Sequence, residues 1–180
     1  MKVFLDLDGV IVDFMGGLLE RFPCPHLQFK KGSYDTIKQI AAYHGIQERD
    51  IWFHLDPNFW IDLKFTNEAK ELITFLEEEF GISNICLCSS PANERGAHGK
   101  MLWIKENLPE YWRLRHYMFT SVKYFCASED SLLIDDSDEQ IYDFELYDGK
   151  AILVPRFWNK GHAFEGDVVE YVKSKSKLIV

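Results

Sequence analysis

Nothing in this chain of 180 residues approaches the roughly 20 consecutive apolar residues of a membrane-spanning helix, so no membrane association is expected. A strand-like apolar pattern already begins at about Val3, which leaves no room for a signal or transit peptide and points to a cytoplasmic protein. Cysteine is sparse. Cys24, Cys86, Cys88 and Cys126 lack the spacing of a secreted disulfide framework. Cys86 and Cys88 alternate with Ile85 and Leu87, as small buried side chains of a strand would; as zinc ligands they lack a second matching pair. Positive charge is in deficit too, with 20 Lys and Arg against 29 Asp and Glu and a net charge of −9. That argues against an extended nucleic-acid-binding surface, yet it does not exclude a small anionic substrate. The run Lys173, Lys175 and Lys177 reads as a solvated helix end. Internal repeats and low-complexity segments are also missing. A hydrophobic content of 47% suits the core of one ordinary domain with at most a modest insertion.

The segment Phe4 to Phe14 is the most informative, because Asp6 and Asp8 stand two apart at the end of an apolar run and just before Gly9. Side chains at i and i+2 of a strand point to one side. Both carboxylates are therefore expected at the carboxyl edge of a sheet, where open α/β sheets place their ligands. Such a spot suits a divalent cation and a phosphate; a surface turn or part of a calcium loop is the alternative for this short pattern alone. Two further apolar strand patterns end in chemistry: Ile85–Cys88 runs into Ser89 and Ser90, and Leu132–Ile134 runs into Asp135 and Asp136, with Lys123 shortly before. Phosphoryl transfer needs an in-line nucleophile, a proton donor for the leaving oxygen and positive charge on the equatorial oxygens. Two aspartates, a lysine and Mg²⁺ can supply all three.

Asp6-Leu7-Asp8-Gly9-Val10 resembles the first motif of the haloacid dehalogenase-type (HAD) phosphohydrolases, Asp-x-Asp-x-[Thr/Val]. Ser89, Lys123 and Asp135-Asp136 match that family's later motifs in the same order. The resemblance implies that Asp6 attacks phosphorus to give an aspartyl-phosphate and that Asp8 serves as general acid and then base. It implies a Mg²⁺ site made by Asp6, the backbone carbonyl of Asp8, Asp135 and, directly or through a water, Asp136. Ser89, Ser90 and Lys123 would then bind phosphate.

The stretch from Asp6 to Phe22, with its Asp13-Phe14-Met15-Gly16-Gly17 segment, is similar to the start of the 5′(3′)-deoxyribonucleotidases, as are Ile51-Trp52, Cys88–Pro91, Lys100-x-x-Trp103-Ile104 and Lys123. This second resemblance implies that Phe14 and Trp52 line a nucleoside pocket, that Lys100 helps Lys123 hold phosphate, and that a homodimer is a candidate assembly. The implied activity is Mg²⁺-dependent removal of phosphate from (deoxy)nucleoside monophosphates. Ser89 stands where the family usually has Thr, and Pro23 to Gly45 offers no counterpart to its other pocket aromatics. Two other readings stay open: a HAD phosphatase for another small phosphate ester or a nucleic-acid 3′-phosphate, and a non-catalytic binding protein, which the complete acid, hydroxyl and lysine set disfavours.

Patterning predicts an α/β fold, a HAD-like Rossmannoid parallel sheet with helices on both faces. Helices are expected at about 14–22, within 33–54, from 68 to 80 with Gly81 as a stop, and near 100–107, 139–144 and 164–173. Strands are expected at about 84–88, 116–119, 132–134 and 151–154. The expected division is a catalytic core of residues 1–14 and 67–180 with a small helical cap, residues 15–66, inserted after the first strand. Trp52, Phe53, Phe59 and Trp60 make that cap aromatic, either as a wall for a substrate or as the cap's own core. His98 and His162 read as solvated loop histidines, and the segment from Pro155 to His162 carries no chemical role on sequence grounds.

Overall fold

The computed structural model describes residues 1–179, the side chains of residues 111, 113 and 114 excepted. Five strands, β1 (Lys2–Leu5), β2 (Ile85–Ser89), β3 (Tyr117–Phe119), β4 (Ser131–Asp135) and β5 (Lys150–Leu153), form one sheet in the order β3-β2-β1-β4-β5. Every pairing is parallel. Parallel strands are covered on both faces, and their sequences are accordingly near-continuous apolar runs. The pleat divides them: Val3, Leu5, Leu132 and Ile134 enter the larger hydrophobic cluster, while Phe4, Cys88 and Leu133 meet Phe144 in a smaller one on the other face.

The chain builds β1 to β3 outward in one direction and then returns across β1 to place β4 on its other side. A ligand crevice is expected at such a reversal, beyond the carboxyl ends of the strands. In register, Leu5 pairs with Leu87 of β2 and with Ile134 of β4. Asp6 and Asp135, one residue beyond those positions, and Ser89, two beyond Leu87, are thereby delivered to one edge.

Between β1 and β2 run five helices: α1 (Phe14–Arg21), α2 (Thr36–His44), α3 (Glu48–His54), α4 (Pro57–Ile61) and α5 (Ala69–Phe80). The Asp13 side chain caps α1 by accepting from Gly16 N at 2.9 Å, and Gly45 in the left-handed conformation (φ 67°) ends α2. Helix α4 was not anticipated. Its signals are local and strong nonetheless, with Asp56 accepting from Phe59 N at 3.0 Å and Pro57 in the first turn.

After β2 come α6 (Glu94–Asn107) and α7 (Glu110–Arg115), then α8 (Asp138–Leu146) between β4 and β5, and α9 (Val168–Ile179). Helix α6 begins six residues before the expected position, because Asn93 caps it by accepting from Gly96 N at 2.9 Å. Gly96 and Gly99, which lower helical propensity, are there for contact: α4 lies across α6, and a Cβ on Gly99 would overlap the Trp60 ring. Helix α7 was not anticipated, and α9 starts later and runs further than predicted because Asp167 rather than Phe164 starts it, accepting from Glu170 N at 2.9 Å. Among the described residues no helix is long and apolar enough to cross a membrane.

Candidate active site

Asp6 follows β1 directly, and its amide donates to Ile134 O at 3.0 Å. Strand pairing stops at Leu5, so Asp6 and Asp8 do not share one face of a pleat as their spacing predicts. A tight turn carries Asp8 instead. The amides of Val10, Ile11 and Val12 all donate to Leu7 O, at 3.2, 2.9 and 2.8 Å, and Gly9 takes φ 74°. The two carboxylates consequently stand at the same edge with different partners.

Lys123, 2% exposed in a 3₁₀ turn after β3, donates from Nζ to Asp6 Oδ1 at 2.5 Å and to Asp135 Oδ2 at 2.6 Å. Lys100, 3% exposed on α6, donates to Asp8 Oδ2 and to Ser89 Oγ at 2.8 Å. Each buried ammonium thus answers one carboxylate of the first motif, and each retains a third N–H. Ser90 lines the cavity, but its hydroxyl donates to Thr120 O at 2.7 Å.

Asp6, Asp135 and Asp136 are all buried, and one carboxylate oxygen from each lies within 4.8 Å of the others. The side chain of Asp8 lies outside this trio. Hard oxygen donors so arranged suit Mg²⁺ or a similar cation. Burial pushes the Asp135 carboxyl up to about 6, with Lys123 opposing and Asp6 adding to the shift. Burial, then Asp135 and Asp6, push Asp136 well above the usual carboxylate range. Asp8 is raised by burial as well, against the pull of Lys100. Burial works against the charge of Lys123, yet Asp6 and Asp135 outweigh it and hold the ammonium above the ordinary lysine range.

Above the acids opens a cavity of about 410 Å³. Phe14 and Trp52 both line it and are stacked on each other, ring centroids 6.2 Å apart and planes 14° apart. Trp60 stacks on Phe14 as well, at 5.2 Å and 12°, and Phe59 meets Phe14 edge-on at 6.0 Å. Phe14 is therefore both part of an aromatic cluster and a lining residue; the two expectations for these aromatics are compatible.

Several residues at the site carried no sequence signal of function. Tyr34, 57% exposed, lines the cavity from the stretch in which the sequence offers no counterpart to a pocket aromatic. The segment after β5, which had no assigned role, reaches back to the first motif. Arg156 donates from Nε to Gly9 O at 2.5 Å and also pairs with Glu68, Trp158 donates from Nε1 to Asp136 Oδ2 at 2.6 Å, and Asn159 donates to Asp136 O at 2.8 Å. Neither His98 nor His162 lines the cavity; His162 sits against Gly32 with Nδ1 3.1 Å from Asn159 O. The four cysteines are free thiols; burial raises Cys88, and raises Cys86 to about 11.

The sheet order and the placement of the motifs at its edge define a HAD-type fold. Solved structures with that fold include a HAD family hydrolase from Deinococcus radiodurans R1 with bound phosphate and sodium (TM-score 0.51, 18% identity, 98% of this chain and 87% of that one). Another is CbbY from Rhodobacter sphaeroides in complex with phosphate (TM-score 0.53, 12% identity, 92% and 90%). In sequence the chain is similar to the mitochondrial 5′(3′)-deoxyribonucleotidase of Homo sapiens, 26% identical over 148 residues that cover 76% of this chain, and to that of Mus musculus, 24% identical over 146 residues. The matched regions span 62% and 64% of those two relatives' lengths. No protein-family model matches the chain.

Proposed function

We propose that this protein is a Mg²⁺-dependent phosphatase that hydrolyses (deoxy)nucleoside monophosphates to nucleoside and phosphate. The observation that carries the reading is the pairing of two buried lysines with the two first-motif aspartates, beside a three-carboxylate cluster on the floor of an aromatic-walled cavity. Lys123 holds Asp6 Oδ1, and no described residue donates to the other oxygen, which is the one available to attack phosphorus. As that P–O bond forms and the ester P–O bond breaks, Asp8 gives its proton to the leaving oxygen. Its raised affinity for a proton, caused by burial, suits this role. Asp8 then takes a proton from water, the resulting hydroxide attacks phosphorus, and phosphate leaves with Asp6 regenerated.

Asp6, Asp135 and Asp136, with the backbone carbonyl of Asp8, would hold the cation, which when bound offsets the charge of the transferring phosphoryl group. Ser89, Lys100 and Lys123 would bind phosphate oxygens, whereas the Ser90 hydroxyl donates to Thr120 O. The cavity volume falls within the roughly 300–1,000 Å³ of small-ligand sites, and the exposed edge of the Trp52–Phe14 stack offers a flat apolar wall to a base or deoxyribose. Similarity to the deoxyribonucleotidases supports the nucleotide assignment. The test is a turnover screen of the common ribo- and deoxynucleoside monophosphates, a nucleic-acid 3′-phosphate and small phosphate esters, with Mg²⁺ and with chelator. Preferred turnover of a deoxynucleoside monophosphate, lost in chelator, is the expected result; preference for another ester removes the nucleotide assignment, and chelator-resistant turnover removes the metal.

A further inference from the structure

We infer that Trp158 is a positioning residue for the cation site, holding the Asp136 carboxylate in the orientation that faces Asp6 and Asp135. The inference rests on the proposed Mg²⁺ chemistry and adds a role for a segment that chemistry does not otherwise use.

Three buried carboxylates with oxygens within 4.8 Å of one another repel, and a side chain with free rotation would turn away before a cation arrived. Asp6 and Asp135 are restrained by Lys123, and Asp135 also accepts from Ser137 N at 2.9 Å. No described lysine pairs with Asp136. Its restraint comes from two successive residues of the segment after β5: the Trp158 indole donates to Oδ2 at 2.6 Å, and the Asn159 amide donates to the backbone carbonyl at 2.8 Å.

An indole N–H can only donate, so it fixes Oδ2 as an acceptor and cannot exchange roles as an amide or a hydroxyl could. The donor is itself well anchored. Asn159 is fully buried and donates to Val154 O at 2.8 Å as well, while its own Oδ1 accepts from Arg156 N at 3.1 Å and Gly161 N at 2.9 Å. The indole also lies against Gly9: a Cβ there would come within 3.0 Å of Trp158 and overlap the Asp136 carboxyl. Glycine at this position, with φ 74°, lets the turn bearing Asp8, the acid Asp136 and the indole close on one another. Hydrogen-bond partners that orient ligands in this way typically change metal affinity by about 10–100-fold when removed.

The test is calorimetric titration of Mg²⁺ into substrate-free protein. Trp158→Phe removes the donor and keeps an aromatic ring; it is expected to weaken Mg²⁺ binding by about 10–100-fold. Trp158→His, which restores an N–H, is expected to recover part of that loss, a rescue that mere packing would not produce. Unchanged affinity in folded Trp158→Phe protein overturns the inference, as does equal loss in both variants. In the unmutated protein, the Trp158 indole N–H resonance, assigned by its loss in the His variant, should move over the same Mg²⁺ range as the heat signal; a resonance indifferent to Mg²⁺ overturns the inference whether or not the Phe variant folds. Absence of Mg²⁺ binding in the unmutated protein would instead remove the proposed function itself.

Discussion

Lys123→Met tests the electrostatic logic of the site most directly. The ammonium is buried and donates to two buried carboxylates, at 2.5 Å to Asp6 and 2.6 Å to Asp135. Methionine keeps most of the stem's volume, so the change removes charge rather than packing. Breaking a buried pair by deleting one partner typically costs about 3–5 kcal/mol, because the other charge is left uncompensated. For a chain of this size about 1 kcal/mol corresponds to 2–4 °C, so a fall in Tm of roughly 6–20 °C is expected in chelator. Lys123 is held above its ordinary range, so its own proton contributes fully below the unfolded lysine value and that contribution is lost only as pH rises through the folded one. A bound cation at 100 times its dissociation constant stabilises by about 2.7 kcal/mol. Without the competing ammonium, Mg²⁺ should stabilise the variant more than the unmutated protein and so narrow the gap. Thermal and denaturant unfolding with Mg²⁺ and with chelator would measure both. A loss under about 1 kcal/mol in chelator, or equal Mg²⁺ increments in the two proteins, would refute the reasoning.

Asp6→Asn should abolish turnover while the protein stays folded, since the amide is nearly isosteric but a poor nucleophile, and Asp8→Asn should slow it by about 10²–10⁴-fold; substantial hydrolysis by folded Asp6→Asn protein would exclude the covalent route. The proton on Asp135 sets a pH dependence: its folded value of about 6 lies above the unfolded one, so its contribution to apo stability is full below the unfolded value and lost as pH rises through 6. Mg²⁺ must displace that proton, and the one that burial favours on Asp136, so calorimetric affinity should grow as pH rises through 6; a constant affinity from pH 5 to 7 would contradict the assignment. Trp52→Ala uncovers one side of the Phe14 stack and should raise KM for nucleotides more than for para-nitrophenyl phosphate; equal effects on both would make Trp52 a packing residue only.

The order of the strands, their burial and the polar residues at the ends of β1, β2 and β4 were legible in the sequence, because each is a local pattern. An apolar run that stops at Asp6, Ser89 or Asp135 states both the strand and the residue it delivers. Parallel pairing then brings those ends together, since parallel strands expose their carboxyl ends on one edge. The separation of Asp6 from Asp8 was not legible: spacing alone implied one shared face, whereas pairing ends at Leu5 and the Gly9 turn sends the second carboxylate to Lys100. Gly96 and Gly99 read as poor helix residues and hid the start of α6, since their purpose is contact with Trp60 from a helix far away in the chain. Trp158 and Asn159 carry no local pattern at all. Their partner, Asp136, lies 22 and 23 residues earlier, and only the return of the chain after β5 brings indole and amide onto it. Periodicity and strand-end chemistry are properties of neighbours in sequence, so the chain itself determined the scaffold and its acids; hydrogen bonds and close approaches between distant segments exist only once the sheet has formed, so tertiary structure decided how those acids are held.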